Sequence, residues 1–423
     1  MKQTSKTDIK DLTREALSAW LRDREIAPYR AVQILKWVYV RQTDTFDLMS
    51  DLGKDIRNLL SEHFIIARLE KTRVETSRDG SRKYLFRLAD GKYIESVLIP
   101  EKDHHTLCIS SQAGCAQGCA FCMTAKGGFS RNLSPGEIIA QVRDIQKEFP
   151  PDSRSYAPRG NAEIPPDTRS HAPRGNAERT LRVPDTAVNA ERSGCIPTQS
   201  VGTRYHAPLT NILNAERSGG IPTRSVGTRY PAPLSNIVFM GMGEPLANYK
   251  NVIAAVNIIT DGDAGLKISS RRVTVSTAGL VPGLSELGKD SDVNLAVSIN
   301  AADNETRNLL MPINRKYPLE MLLEACKNYR LKPRRRITFE YILIKGVNDS
   351  EKQAKKLAEI LRPVKAKINL IPFNEHEGSE FLRPEQSVIL QFQEILKKQN
   401  YTVMIRESKG QDISAACGQL SAK

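Results

Sequence analysis

The sequence predicts an α/β protein built around an open, partial (β/α)6 barrel, and three observations carry that prediction. After Pro100 the chain repeats a strand, loop and helix pattern six times, the grammar of a parallel sheet with helices packed outside it. Two Asp-Gly pairs in tandem, Asp79-Gly80 and Asp90-Gly91, mark a small antiparallel meander just before the repeats. Ahead of the meander, apolar residues recur at helical spacing.

In chain order, residues 8–64 read as helical: Ala31, Ile34, Leu35 and Val38 share one face, and Leu52, Ile56, Leu59 and Leu60 another. Alternating segments at 83–88 and 93–99 flank the second Asp-Gly pair, as hairpin strands do. The barrel strands are expected at 106–110, 236–240, 272–276, 294–299, 336–343 and 367–371. Helices are expected at 135–148, 249–260, 318–329, 351–361 and 384–399. Six strands fall short of the eight that close such a barrel, so the sheet is expected to stay open.

One segment breaks this order. Residues 151–163 recur at 166–178 with 11 of 13 positions identical, and 189–209 recur at 214–234 with 18 of 21 identical. These units have no periodic apolar face to stack, so they do not read as a solenoid. Residues 151–234 contain no lysine, against 27 in the remainder of the chain. Their Pro, Gly, Ser and Arg content reads as a disordered, repeat-derived insertion. The domain plan is then an N-terminal helical part (1–68), the meander (69–100), a first barrel part (101–150), the insertion (151–234) and the rest of the barrel with a C-terminal tail (235–423).

At 423 residues, with 40% hydrophobic and 26% charged residues, the chain is neither disordered throughout, nor collagenous, nor a small disulfide-stapled domain. No apolar run approaches the ~20 residues that span a bilayer. The polar start at 1–12 predicts no signal peptide, hence a cytoplasmic protein. The net charge of +14 suits a polyanionic partner such as nucleic acid, and equally a solvated basic surface. The insertion holds +4 of it, leaving +10 on the core. Arg14, Arg22, Arg24, Arg30 and Lys36 in the helical part and the run RLKPRRR at 330–336 supply much of this excess.

Three of the seven cysteines lie within eight residues. Cys115, Cys119 and Cys122 form C-x3-C-x2-C directly after the first barrel strand, at the end where barrel chemistry sits. Three thiolates can hold three irons of a 4Fe-4S cluster and leave the fourth iron open. A structural zinc site wants four ligands, and the nearest histidines, His104 and His105, precede the strand. Other polar groups close later strands: Gly243 and Glu244 in GMGEP, Ser276, then Ser298, Ile299 and Asn300, and finally Asn374. Singly each reads as a strand-end residue, but together they ring one mouth.

With this loop spacing in a βα-repeat chain, the sequence resembles the radical S-adenosylmethionine superfamily, whose barrel is a partial (β/α)6, TIM-like one. The GMGEP segment and the tail GQDISAACGQL at 410–420 narrow the resemblance to the dual-specificity adenine carbon-2 methyltransferases of ribosomal and transfer RNA. It covers about 8–150 and 235–420, nearly everything outside the insertion. The resemblance implies one 4Fe-4S cluster on Cys115, Cys119 and Cys122. It implies S-adenosylmethionine, two molecules per turnover, held by Gly243, Glu244, Ser276, Ser298, Ile299, Asn300 and Asn374. Cys417 matches the cysteine that is methylated first; a 5′-deoxyadenosyl radical then takes hydrogen from its S-methyl group, and the methylene radical adds to the adenine.

Glu95 matches the base that removes the carbon-2 proton, although by pattern alone it reads as an outward-facing strand residue. Cys108 matches the thiol that releases product by forming a transient disulfide with Cys417. Cys326 reads as a core residue, and Cys195 belongs to the insertion. The implied substrates are the peptidyl transferase centre of 23S rRNA, before full ribosome assembly, and the tRNA adenosine 3′ of the anticodon. The N-terminal helices would bind the RNA. A one-electron donor such as flavodoxin or ferredoxin, and a monomeric state, complete the expectation. The alternatives are a carbon-8 methyltransferase of the same ribosomal adenine and a non-catalytic RNA-binding metalloprotein.

Overall fold

The computed structural model describes residues 6–149, 233–376 and 378–422. Apart from its last two positions, the insertion expected at 151–234 lies outside the described residues. The described residues fall in one compact unit.

The sheet has ten strands: β1 (Glu70–Thr76), β2 (Arg82–Arg87), β3 (Tyr93–Pro100), β4 (His105–Cys108), β5 (Leu234–Phe239), β6 (Val273–Thr277), β7 (Asn294–Ser298), β8 (Ile337–Leu343), β9 (Ala366–Pro372) and β10 (Val403–Ile405). They lie in sequence order from one edge to the other. Pairing from β4 to β10 is parallel throughout. The six expected barrel strands are present, and the count is corrected by a short seventh, β10, whose three residues give little sequence signal. No pairing joins β10 to β1 among the described residues, so the barrel is open.

The meander does not stand apart, because β3 pairs antiparallel with β4 and carries β2 and β1 with it. Both Asp-Gly turns are three-residue loops closed by a left-handed glycine, Gly80 at φ +83° and Gly91 at φ +81°, a conformation that costs glycine little.

The helices are α1 (Arg14–Arg22), α2 (Arg30–Leu35), α3 (Lys54–His63), α4 (Pro135–Gln146), α5 (Tyr249–Thr260), α6 (Val281–Asp290), α7 (Asn304–Leu310), α8 (Leu319–Lys327), α9 (Glu351–Leu361) and α10 (Gln386–Lys398), with α2 running on through a π turn at Lys36–Val40. Helices α6 and α7 were not expected: α6 opens on Val281-Pro282 and includes two glycines, and α7 spans seven residues. The start of α4 is the most legible, since Ser134 and Glu137 form a capping box ahead of Pro135.

Strand alternation divides the barrel. Leu107, Ile237, Phe239, Val275, Val297, Phe339 and Leu370 are buried in the main apolar core with the helices. The intervening residues, Cys108, Met240, Ser276, Ser298 and Glu340, therefore face the lumen. Because Val97 pairs with Cys108, Glu95, Val97 and Ile99 share that face.

Besides shared apolar packing, a buried cation ties the N-terminal helices to the barrel. Arg143 on α4 is fully buried; its guanidinium donates to the Val38 carbonyl (3.0 Å), the Thr43 carbonyl and Asp44 Oδ1 (2.8 Å). Lys147 reinforces Asp44 at 2.6 Å. Replacing Arg143 by Met strips the Val38 and Thr43 carbonyls of their donor, which typically costs about 2–4 kcal/mol. A loss of unfolding free energy of that size, read from urea titration as the midpoint shift multiplied by the m-value, is expected for Arg143→Met, and a change under about 0.5 kcal/mol would show that these bonds do not secure the helices.

Candidate active site at the barrel mouth

The loop after β4 is clamped at its root. Gln112–Gly114 pairs with Phe129–Asn132, and a Cβ on Gly114 would stand 2.0 Å from the Gly128 carbonyl oxygen. Cys115, Cys119 and Cys122 lie on the loop between these two strands. Phe121 anchors its centre in a separate apolar cluster with Leu310, Met311, Ile344 and Phe373.

The three thiols influence one another electrostatically, and burial pushes Cys115 up to about 12 and Cys119 higher still. The Arg307 guanidinium opposes that rise only partly at Cys119. As thiolates they therefore need a positive partner of their own. Among the described residues, no three His, Cys, Asp or Glu side chains converge tightly enough for a single metal ion. His104 and His105 lie at the opposite end of β4, with His105 as its first residue.

Beside this loop the GMGEP turn packs tightly. Gly243 has φ +98°, and a Cβ there would fall 2.5 Å from Gln112 Cβ. Glu244 is buried; its Oε1 accepts from Leu246 N–H (3.0 Å) and its Oε2 from Ala278 N–H (2.7 Å). Burial nevertheless raises its carboxyl above the usual range. The Thr277 side chain also hydrogen-bonds this carboxylate.

Ser276 Oγ donates to Glu340 Oε2 at 3.3 Å. Ser298 is half-buried at the end of β7, and Ile299 and Asn300 follow, both fully buried. The Asn300 amide is occupied, accepting from Ile342 N–H (2.9 Å) and contacting Met311 Sδ (3.2 Å), so its side chain shapes the mouth. Asn374 Nδ2 donates to the Cys417 carbonyl (3.4 Å) and its Oδ1 accepts from Gln411 (2.9 Å).

The tail crosses the open seam of the barrel. It leaves β10, and Gly410 N–H donates to Asp79 (2.9 Å) while Asp412 accepts from Ser77 (2.5 Å) and Arg78 N–H (3.1 Å). Farther on, the Gly418 carbonyl accepts from Met123 N–H (2.7 Å) and the Leu420 carbonyl from Thr124 (2.6 Å), next to Cys122. Ser421 and Ala422 N–H groups then donate to Glu95 Oε2 at 2.8 and 3.1 Å. Glu95 is thus buried and inward, not on an outer face, and Lys83 stands 3.6 Å from its Oε1.

Cys417 lines a cavity of about 330 Å3 in the seam together with Ile99, Glu101, Ile371 and Arg406. Cys108 is buried, and its thiol is pushed up to about 12 by that burial first and by Cys417 second. Cys326 is buried on α8, and Cys195 lies outside the described residues.

Sequence reasoning missed three charged groups here. Arg307 is fully buried and donates to the Ala278 carbonyl after β6 and to the Ser298 and Ile299 carbonyls at the end of β7, fastening two strand ends. Glu340 is buried in the lumen, with Arg406 at 3.8 Å; burial outweighs this contact and raises its carboxyl. Arg406 is held above its usual range by Cys417 first, against burial. A single charged residue at an inward position of a largely apolar strand, as Glu340 is in ITFEYIL, was the available signal.

Comparisons with known proteins agree with this arrangement. Residues 7–66 match the ribosomal RNA large subunit methyltransferase N-terminal domain, and 228–358 match the radical SAM superfamily. The chain is 49% identical over 415 residues to the dual-specificity RNA methyltransferase RlmN of Desulfosudis oleivorans, covering 98% of this chain and 91% of that protein. It is 42% identical over 416 residues to the protein of the same name from Geobacter sulfurreducens, covering 98% and 92%. A radical SAM methyltransferase from Sphaerobacter thermophilus matches with TM-score 0.74 and 34% identity, over 99% of this chain and 100% of that one. Among the described residues no helix is long and apolar enough to cross a membrane.

The two thiols should differ sharply in reactivity. At pH 8, iodoacetamide should label half-buried Cys417 at least tenfold faster than Cys108, whose raised pKa keeps it protonated until the solution is strongly alkaline. Peptide mapping reads the two rates, and equal labelling in the folded protein would contradict the burial of Cys108.

Proposed function

Because the chain belongs to the family of dual-specificity RNA methyltransferases named RlmN, we propose that it methylates carbon 2 of an adenine in 23S rRNA, at the peptidyl transferase centre, and in tRNA, at the adenosine 3′ of the anticodon. The observation that carries this reading is the strapping of the Cys417 tail between the three-cysteine loop and Glu95, beside Cys108. Cys115, Cys119 and Cys122 would hold one 4Fe-4S cluster. Gly243, Glu244, Ser276, Ser298, Ile299, Asn300 and Asn374 would surround S-adenosylmethionine, two molecules being used per turnover. Together, cluster and S-adenosylmethionine would supply a 5′-deoxyadenosyl radical.

The protein's own residues then do the rest. Adenine carbon 2 is no nucleophile, so Cys417 takes a methyl group from the first sulfonium and carries it to the base. Glu95 is the acceptor for the carbon-2 proton. Its other ties, to Ser421, Ala422 and Lys83, keep the carboxylate fixed beside the tail. Cys108, as the thiolate, attacks Cys417 sulfur and breaks its bond to the carbon now joined to the adenine. That carbon keeps the electron pair and takes a proton to become the methyl group. The two sulfurs are left as a disulfide that an external thiol reduces before the next turnover. The target adenine must leave its stack to enter the mouth.

RNA binding is supported by the N-terminal helices, where Arg24 lies 4.0 Å over Trp20 and Arg41 3.9 Å over Trp37, surfaces on which bases stack. Arg14 and Lys36 face Asp263 at 3.8 and 2.7 Å instead, so they contribute less. A cytoplasmic, monomeric enzyme reduced by a flavodoxin or ferredoxin completes the proposal.

Anaerobically prepared protein should contain about four irons per chain, and one zinc with no iron would overturn the reading. Complementing a deletion strain should restore 2-methyladenosine in mass maps of ribosomal and transfer RNA; 8-methyladenosine would instead select the carbon-8 activity. Cys108→Ala should accumulate a covalent protein–RNA adduct visible as a slow gel band, and Cys417→Ala should yield no methylated product.

A further inference from the structure

The basic run at 330–336 has no place at the mouth. It precedes β8, at the N-terminal ends of the parallel strands, whereas the site residues lie at the C-terminal ends. The seven residues of β8 separate the two levels by about 20 Å. At this base a cleft of about 950 Å3 opens between the segments that lead into β8, β9 and β10. Six cations line it, Lys332, Arg334, Arg335, Arg336, Arg362 and Lys365, and no carboxylate does.

Neutralisation is partial. Asp292, just outside, takes Lys332 at 2.5 Å, and its carbonyl accepts from Arg335. Arg336 meets only the neutral Thr402 hydroxyl, at 2.9 Å. The side chains of Arg334, Arg362 and Lys365 are exposed, with no hydrogen bond or ion pair to any described residue. Basic residues at helix C-termini can simply complement the macrodipole, and Arg362, the C-cap of α9, qualifies. Arg334 does not: it lies well past the last residue of α8, Lys327, and the dipole effect fades within one turn.

We propose that this cleft is a second RNA site, a clamp for the phosphodiester backbone of the substrate on the side of the barrel opposite the mouth. Concentrated like charges without acids to balance them are repulsive unless a polyanion comes. The cleft is open and far larger than one phosphate, so it suits a run of backbone. It lies too far from the mouth to touch the nucleotide being modified. It therefore engages only RNA large enough to reach around the barrel, and it contributes affinity and orientation without sequence choice. The inference rests on an RNA substrate for the mouth.

The test compares Arg334→Glu/Arg362→Glu/Lys365→Glu with the parent holoenzyme on full-length tRNA and on its isolated anticodon stem-loop. For full-length tRNA, KM should rise at least tenfold and the salt slope of log binding should fall by about two to three, with kcat retained. For the stem-loop, KM should stay within twofold. The neutral Arg334→Gln/Arg362→Gln/Lys365→Gln variant, which introduces no new acids, should show the same selectivity at smaller size. Unchanged KM on both RNAs would falsify the clamp, and so would equal losses on both. Unchanged RNA KM with impaired reduction by flavodoxin would assign the cleft to an acidic protein and overturn the RNA occupant. Failure of the parent enzyme to methylate either RNA would instead sink the methyltransferase reading, a separate outcome.

Discussion

The barrel does not close, and the rest of the site depends on what closes it. With β10 and β1 left unpaired to each other, the lumen would open sideways to water. The C-terminal tail spans the gap, gripped at Ser77–Asp79, at Met123–Thr124 and at Glu95. One set of hydrogen bonds thus shields the lumen, holds Cys417 beside the three-cysteine loop and fixes the orientation of Glu95. Under the proposed mechanism Cys417 would meet first a sulfonium, then a base, then a second thiol. Such a thiol needs a tether, not a rigid strand, and a strap docked largely through backbone groups suits that role.

Much of this was legible beforehand. The six long parallel strands and their helices follow from alternation and periodicity, and the cysteine spacing after the first strand points to its chemistry. The inward position of Glu95 was not legible from its own neighbours, since Tyr93–Pro100 is buried on both faces apart from its ends and shows no alternation. It becomes so only when Val97 is known to pair with Cys108. Glu340 and Arg406 escaped for a related reason. Their meaning lies in a contact across three strands, and no local pattern encodes it. Helices α6 and α7 escaped because their glycines, proline and short length give weak propensity signals that tertiary packing overrides.

The lumen mixes buried acids and thiols in one small volume. Glu244, Glu340, Cys108 and Cys115 are all pushed toward their neutral forms by burial, against Arg406 at Glu340 and Cys108 and against hydrogen bonds at all four. Each of these groups can release its proton when a positive charge comes beside it, so ionisation in the lumen is coupled to what it binds.

Phe149 and Pro233, which stand on either side of residues 150–232, both rest on His105: Phe149 packs its ring at 4.9 Å, and the Pro233 carbonyl accepts from His105 N–H at 2.9 Å. A connection whose ends are pinned at one residue is nearly indifferent to its own length, since each doubling of a flexible loop adds only about 0.6 kcal/mol of closure entropy. This rim is therefore a natural splice port. A reporter or affinity module grafted between Phe149 and Pro233 would ride on the enzyme without disturbing its register, and the chain could be cut there and re-joined as two co-expressed halves.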